Sequence, residues 1–241
     1  MKDITVIIPV HNVEGENFET LFSLALKSIE DQTISPDEVI IADDGSTDET
    51  QEVISKFQQD SELKIIHSWQ EDLGFRAAKA RNKAIAKSCG DYIILIDGDI
   101  ILHPKFVQDH VNNAQVGYFI QGTRVLLTQD RTRDALKRMS INFSFLSKGI
   151  KNRKNAIYSD FLSKLFSKKM NYLRGIKTCN MAFFKQDCVN VNGFNNDFEG
   201  WGREDSEFAV RLLNSGINRN NLRFNAIQFH LWHFESTRES L

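Results

Sequence analysis

The chain has 241 residues, a formal net charge of −2, 41% hydrophobic and 26% charged residues, a balance ordinary for a soluble globular protein. No stretch approaches the run of apolar residues that spans a bilayer. The odd number of cysteines (Cys89, Cys179, Cys188), with no C-x-x-C, argues against a disulfide framework or a cysteine-based zinc site and for reduced thiols in the cytoplasm.

The elements follow in chain order. "ITVIIPV" (4–10) is a continuous apolar run suited to a strand buried on both faces of a parallel sheet. It is too short, and its flank too weakly basic, for a secretory leader. "NFETLFSLALKSIEDQ" (17–32) has helical spacing at Phe18, Leu21, Phe22, Ala25, Leu26 and Ile29. "DEVIIADDGSTD" (37–48) is a second strand ending in acids and a turn. The helix after it is capped by Ser46 or Thr47, with acids in its first turn. "LKIIHSW" is a third strand, and "RAAKARNKAIAKSCG" a helix stopped by Gly90. "YIILIDGDIIL" is a fourth strand, broken by Asp97-Gly98-Asp99.

This alternation predicts an α/β fold with a doubly wound, mostly parallel sheet, whose ligands sit beyond the carboxyl ends of the strands. His11, Asn12, Asp43, Asp44, Asp97 and Asp99 all fall at such ends. After residue 103 the rhythm changes. "VGYFIQGTRVLL" (116–127) reads as a strand pair or one long strand, and 131–177 as irregular to helical. "KTCNMAFFKQDCVNVNGF" returns to strand and turn, a helix then ends at Gly216, and "NLRFNAIQFHLWHFE" (221–235) alternates apolar residues around two histidines. Without a flexible linker, the chain is expected to form one domain (1–241), with a binding half (1–102) and a second half (103–241).

Four stretches carry chemistry. Two aspartates at a strand end, with glycine between them, suit Mg2+ or Mn2+; a plain turn is the ordinary alternative. Asp43 at the tip of the second strand is placed to accept from a nucleotide's base or ribose, or to form a turn leading into the helix. Arg76, Lys79 and Arg81 surround a helix start and could face a diphosphate, or simply lie on a solvated face. His230 and His233 offer imidazoles to a metal; in a strand or loop the two diverge, so one ligand of the two is expected.

A fifth stretch adds to these, "GWGREDSEF" (200–208). Gly200 and Gly202 free the loop, and Trp201 offers a flat apolar face for a sugar ring. Glu204 and Asp205 open a helix whose dipole is expected to keep both ionised. An ionised carboxylate there can take a proton from a hydroxyl. The alternative is a helix start with acidic capping residues and a core tryptophan.

In the order "VIIPVHN", "ADDGSTDET", "GFRAAKARNKAI", "LIDGDI" and "FEGWGREDSEFAVRL", these stretches resemble the nucleotide-sugar-dependent glycosyltransferases of family 2, with the GT-A fold. The second half is similar to β-1,4-galactosyltransferases and the bacterial chondroitin polymerase, whose W-G-x-E-D element binds the acceptor and supplies the base. The resemblance implies an inverting, metal-dependent transfer from a nucleotide-sugar, a UDP-sugar first, to a hydroxyl of a glycan or lipid-linked glycan in bacterial surface polysaccharide, lipopolysaccharide or capsule synthesis, with no nucleic-acid partner. It implies that Pro9, His11, Asn12, Asp43, Arg76, Arg81 and Asp97 line the nucleotide site. Asp99 and His230, with His233 the runner-up, would hold Mn2+ or Mg2+, and Asp205 would be the base. Trp201, Gly202, Glu204 and Asn180 would face the sugar or acceptor. A non-catalytic nucleotide- or carbohydrate-binding module that kept the fold is the alternative.

Two features depart from the pattern. Arg203 stands where the galactosyltransferase element has a second glycine. Residues 131–177 also hold thirteen Lys/Arg against two acids, with phenylalanines and leucines among them. An anionic partner is expected there: peripheral contact with an inner membrane, an acceptor surface and a lid over an acidic glycan all fit.

Overall fold

A computed structural model describes residues 3–11, 18–200 and 202–233. In chain order the elements are β1 (Ile4–Val10), α1 (Phe18–Glu30), β2 (Glu38–Asp43), α2 (Asp48–Asp60), β3 (Ile65–Trp69), α3 (Ala77–Lys87), β4 (Tyr92–Ile96) and β5 (Ile100–Leu102). Then come α4 (Phe106–Asn113), β6 (Tyr118–Gln121), β7 (Thr123–Leu126), α5 (Gln129–Arg138), a 3-10 turn (Arg153–Ala156), α6 (Asp160–Phe166) and β8 (Lys168–Met170). The chain continues through β9 (Asn180–Phe184), α7 (Lys185–Asn190), α8 (Glu204–Asn214), β10 (Asn218–Asn221) and β11 (Ile227–His230).

Among the described residues the strands form an eight-stranded sheet, β3-β2-β1-β4-β9-β6-β10-β8, and a small sheet, β5-β11-β7. β1 to β4 are mutually parallel. β9 runs antiparallel to both β4 and β6. Strand β1 is apolar throughout because both its faces are covered. Ile4, Val6, Ile8 and Val10 pack against Phe22, Leu26 and Ile29 of α1 and Phe106 of α4. Ile7 faces the other way, with Ala78 and Ala84 of α3 and Phe208 and Leu212 of α8. Burying each such side chain contributes roughly 1.5–3 kcal/mol, which is why a run without polar alternation reads as a central parallel strand.

The break at Asp97-Gly98-Asp99 does more than interrupt a strand. β4 stays in the large sheet, while β5 pairs antiparallel with β11 in the small one. The 116–127 stretch likewise becomes two strands in different sheets, β6 against β10 and β7 against β11. Gly122 is the pivot: a Cβ there would lie 2.2 Å from Asn180 Oδ1, so only glycine lets the chain turn at that crossing.

Local expectations need correcting elsewhere. Thr47 is the N-cap of α2, but its side chain makes no capping bond. After β9 the chain forms the short helix α7, where turn was expected. The basic stretch contains β8, an edge strand antiparallel to β10, which three residues of Lys-Lys-Met gave no reason to anticipate.

Candidate active site

The carboxyl ends of β1, β2 and β4, the start of α8 and the end of β11 supply the polar groups. Asp99 is the centre of one cluster. Its Oδ2 lies 3.1 Å from His230 Nε2 and 3.0 Å from His233 Nε2. One ligand atom from each of the three residues falls within 4.8 Å of the others. The strand geometry that would part the two histidines ends at His230; Leu231 N–H then donates to Asp99 O at 3.0 Å, and the bend returns His233 to the same carboxylate. The structure therefore joins both rings to Asp99, where sequence spacing favoured one.

Burial works to raise the Asp99 pKa, but hydrogen bonds from His230 and His233 outweigh it and hold the group well below the usual carboxylate range. Its Oδ1 is buried and has no hydrogen-bond partner among the described residues. An orphaned carboxylate oxygen beside two imidazoles is a donor set that fits a divalent cation such as Mn2+.

Asp97 precedes Gly98. Desolvation and the Asp99 charge push it up to about 7, against the pull of Arg81 and His230, and it also feels Asp205. Groups from α3, β4, α8 and β11 are thus close enough to act on one another.

The acid pair opens α8. Arg81 Nη1 donates to Glu204 Oε1 at 3.0 Å and to Asp205 Oδ1 at 3.4 Å. Thr178 grips Asp205 twice, from its N–H to Oδ2 at 3.0 Å and from its hydroxyl to Oδ1 at 2.8 Å. Arg81 and Glu204 are buried. Burial favours loss of the Arg81 charge, yet Asp205, Glu204 and Asp97 outweigh it and raise its pKa. Burial, reinforced by Asp205, raises the Glu204 pKa despite the arginine. Arg81, expected near the phosphates, is engaged with the acid pair.

Gly200 and Gly202 have φ of 85° and 107°, a backbone that suits glycine, and Arg203 follows at 68° as the residue before the helix. A side chain at positive φ costs of order 1 kcal/mol, which explains why glycine would be the easier residue at Arg203. Trp201 and Asn12 lie outside the described residues.

Three other expected site residues are occupied. Asp43 is 1% exposed; its Oδ1 accepts from Ser46 N–H at 2.8 Å and its Oδ2 bonds His67 Nε2 at 2.8 Å. As placed it orders the strand end. Its neighbour Asp44 accepts from Gln70 Nε2 at 2.5 Å and from the Arg76 backbone N–H, while the Arg76 guanidinium donates to Glu71 O. Asn180, expected to face the acceptor, is bonded within the fold. It is 1% exposed, accepts from His110 at 3.0 Å, and donates to Thr123 O and Ala226 O. It joins the two sheets. His11 remains at the cleft, its Nδ1–H donating to Asp44 O at 2.7 Å and its ring edge-on to Phe75; Pro9 is half-buried at the end of β1.

Sequence reasoning missed Thr178 and His67. Neither carries a local signal, because each acts through a residue far along the chain.

Residues 5–185 match the family described as glycosyl transferase family 2, and 161–234 that described as the N-terminal domain of galactosyltransferase. The chain is 29% identical over 232 residues to validoxylamine A glucosyltransferase of Streptomyces hygroscopicus subsp. limoneus, covering 89% of this chain and 48% of that protein. It is 26% identical over 232 residues to chondroitin synthase of Escherichia coli, covering 88% of this chain and 32% of that one. It thus spans about half the length of the first relative and a third of the second. Among solved structures, a mannosyltransferase from Pyrobaculum calidifontis in complex with GDP-Man and Mn2+ superposes with a TM-score of 0.63 at 17% identity, over 99% of this chain and 58% of that one. That likeness shows the GT-A fold. With the family match running through most of the sequence, the chain belongs to glycosyl transferase family 2.

Proposed function

We propose that this chain is a metal-dependent, inverting transferase that moves a sugar from a nucleotide-sugar, a UDP-sugar first, to a hydroxyl of a growing surface glycan such as a capsule or lipopolysaccharide. One observation carries the reading. Asp97, Asp99, Arg81, Asp205 and His230 are scattered along the sequence, yet Asp97 feels the charge of the other four. A fold needs no such convergence of ionisable groups at one sheet edge; a reaction site does.

In this reading Asp205 is the base. Thr178 and Arg81 fix its orientation, and its carboxylate takes the proton of the acceptor hydroxyl as that oxygen attacks the anomeric carbon. Attack comes from the face opposite the leaving diphosphate, so one displacement inverts the configuration. Asp99, His230 and His233 would hold the divalent cation, which supplies charge neutralisation at the diphosphate. Glu204 keeps Oε1 on Arg81, while Oε2 has no hydrogen-bond partner among the described residues and is suited to a sugar hydroxyl. Positioning and electrostatics do the work, since no covalent intermediate is needed.

The test is a screen of UDP-, GDP- and dTDP-sugars with Mn2+, read by thermal shift and by slow release of nucleoside diphosphate. Binding with release supports the transferase. Binding without release, even with glycan acceptors present, would favour a non-catalytic module; no binding would overturn both.

A further inference from the structure

The surface of residues 161–174 is built the wrong way round for water. On α6, Ser163 is buried and bonded to Ser167 Oγ at 3.1 Å, while Phe161 is 71% and Leu165 61% exposed. Positions four apart share one helix face, and Lys164 lies beside them, so the outer face carries an aromatic ring, a cation and an aliphatic chain. Phe166 and Tyr172 add 48% and 53% exposed rings. No acid interrupts 161–174, and Lys164, Lys168, Lys169 and Arg174 are all exposed.

The two acids of the wider basic stretch are already engaged. Asp134 pairs with Arg131 and Arg138, each at 2.6 Å. Asp160 accepts from Tyr158 and Asn225 at 2.9 and 3.0 Å. Asp160 keeps its charge and attracts Lys164, whereas no acid lies within 161–174 beside Lys168, Lys169 and Arg174. No helix among the described residues is long and apolar enough to cross a membrane. We propose that this face docks peripherally on an anionic lipid surface, with Phe161, Leu165 and Phe166 entering the headgroup boundary and the lysines meeting the lipid charge. Exposed leucine and phenylalanine bury more apolar area in a lipid boundary than against a solvated acidic polymer, which favours lipid as the partner.

The placement also bears on acceptor delivery, a point that rests on the transferase reading. Arg174 stands four positions before Thr178, which holds Asp205, and an extended chain covers at most about 14 Å in that distance. A face docked at 161–174 would keep the acid pair near the lipid, where a lipid-linked acceptor is presented.

The experiment is sedimentation of the full chain with vesicles of phosphatidylcholine and phosphatidylglycerol, beside vesicles of phosphatidylcholine alone. Binding to the anionic vesicles only, weakened by salt, is expected. Lys164→Gln with Lys168→Gln should lower partitioning about fivefold per lysine. Phe161→Ser with Leu165→Ser should lower it about tenfold or more, with an unchanged thermal midpoint because both side chains are exposed. Three results would overturn the proposal: no binding to anionic vesicles at low salt; equal capture by a soluble acidic polysaccharide without dependence on Phe161 and Leu165; or a dimer that Phe161→Ser dissociates. None of these depends on transfer activity, so the docking claim and the transferase reading can fail separately.

Discussion

Arg81→Met should be the most costly single change at the site. Arg81 is buried, it bonds Glu204 at 3.0 Å and Asp205 at 3.4 Å, and Glu204 is also buried. Methionine nearly fills the volume but leaves two adjacent carboxylates facing each other with little water. Removing one partner from a buried ion pair costs about 3–5 kcal/mol, against about 1 kcal/mol or less for an exposed one. The cost should grow with pH. The Glu204 pKa is raised in the folded protein, and loss of the arginine raises it further. A carboxyl that holds its proton more tightly when folded loses stability as pH rises through that window. Urea titration at pH 5 and pH 8 would measure this, and Arg81→Met with Glu204→Gln should recover much of the loss. A cost below about 1 kcal/mol at both pH values would refute the account of the cluster as a desolvated network.

Thr178→Val removes the hydroxyl bond to Asp205 while keeping the backbone one; kcat should fall about tenfold or more with KM for the nucleotide-sugar little changed, and Thr178→Ser should restore it. If the three variants are kinetically alike, Thr178 does not orient the base. EDTA should abolish transfer, and Mn2+ should raise the thermal midpoint of the native chain but not of His230→Ala with His233→Ala; equal shifts in both would remove this cation site. Burial pushes Asp109 up to about 6 from 3.8, so its proton is held more tightly in the folded state, and stability attributable to it should fall as pH rises across that interval. Asp109→Asn should flatten the slope by roughly 3 kcal/mol over the interval, and parallel stability curves for the two proteins would contradict the assignment.

The first hundred residues were legible because each apolar run had a length and period that only one element satisfies. β1 and β2 fall almost where the sequence put them, and Asp43 ends β2 as expected. The second half was harder, since its strands are short and two of them, β8 and β10, are polar. β10, Asn-Arg-Asn-Asn, joins the sheet by register with β6 and β8, not by its own composition. At the site, residue types were readable and partners were not. Nothing near Asn180 announces that its amide bridges two sheets, and nothing near Thr178 points to Asp205. Arg81 looked like a phosphate ligand because a helix start suggests one; the acids that claim it lie more than a hundred residues away. His233 was underrated because strand geometry was carried past the end of β11.

The central claim is that Asp205 removes the acceptor's proton, and turnover of Asp205→Asn tests it most directly. The amide keeps the shape and can still bond Thr178, but it cannot take a proton. Turnover should drop by about 10²–10⁴-fold, the usual worth of a positioned general base, with nucleotide-sugar binding retained. Near-normal turnover by that variant would contradict the account.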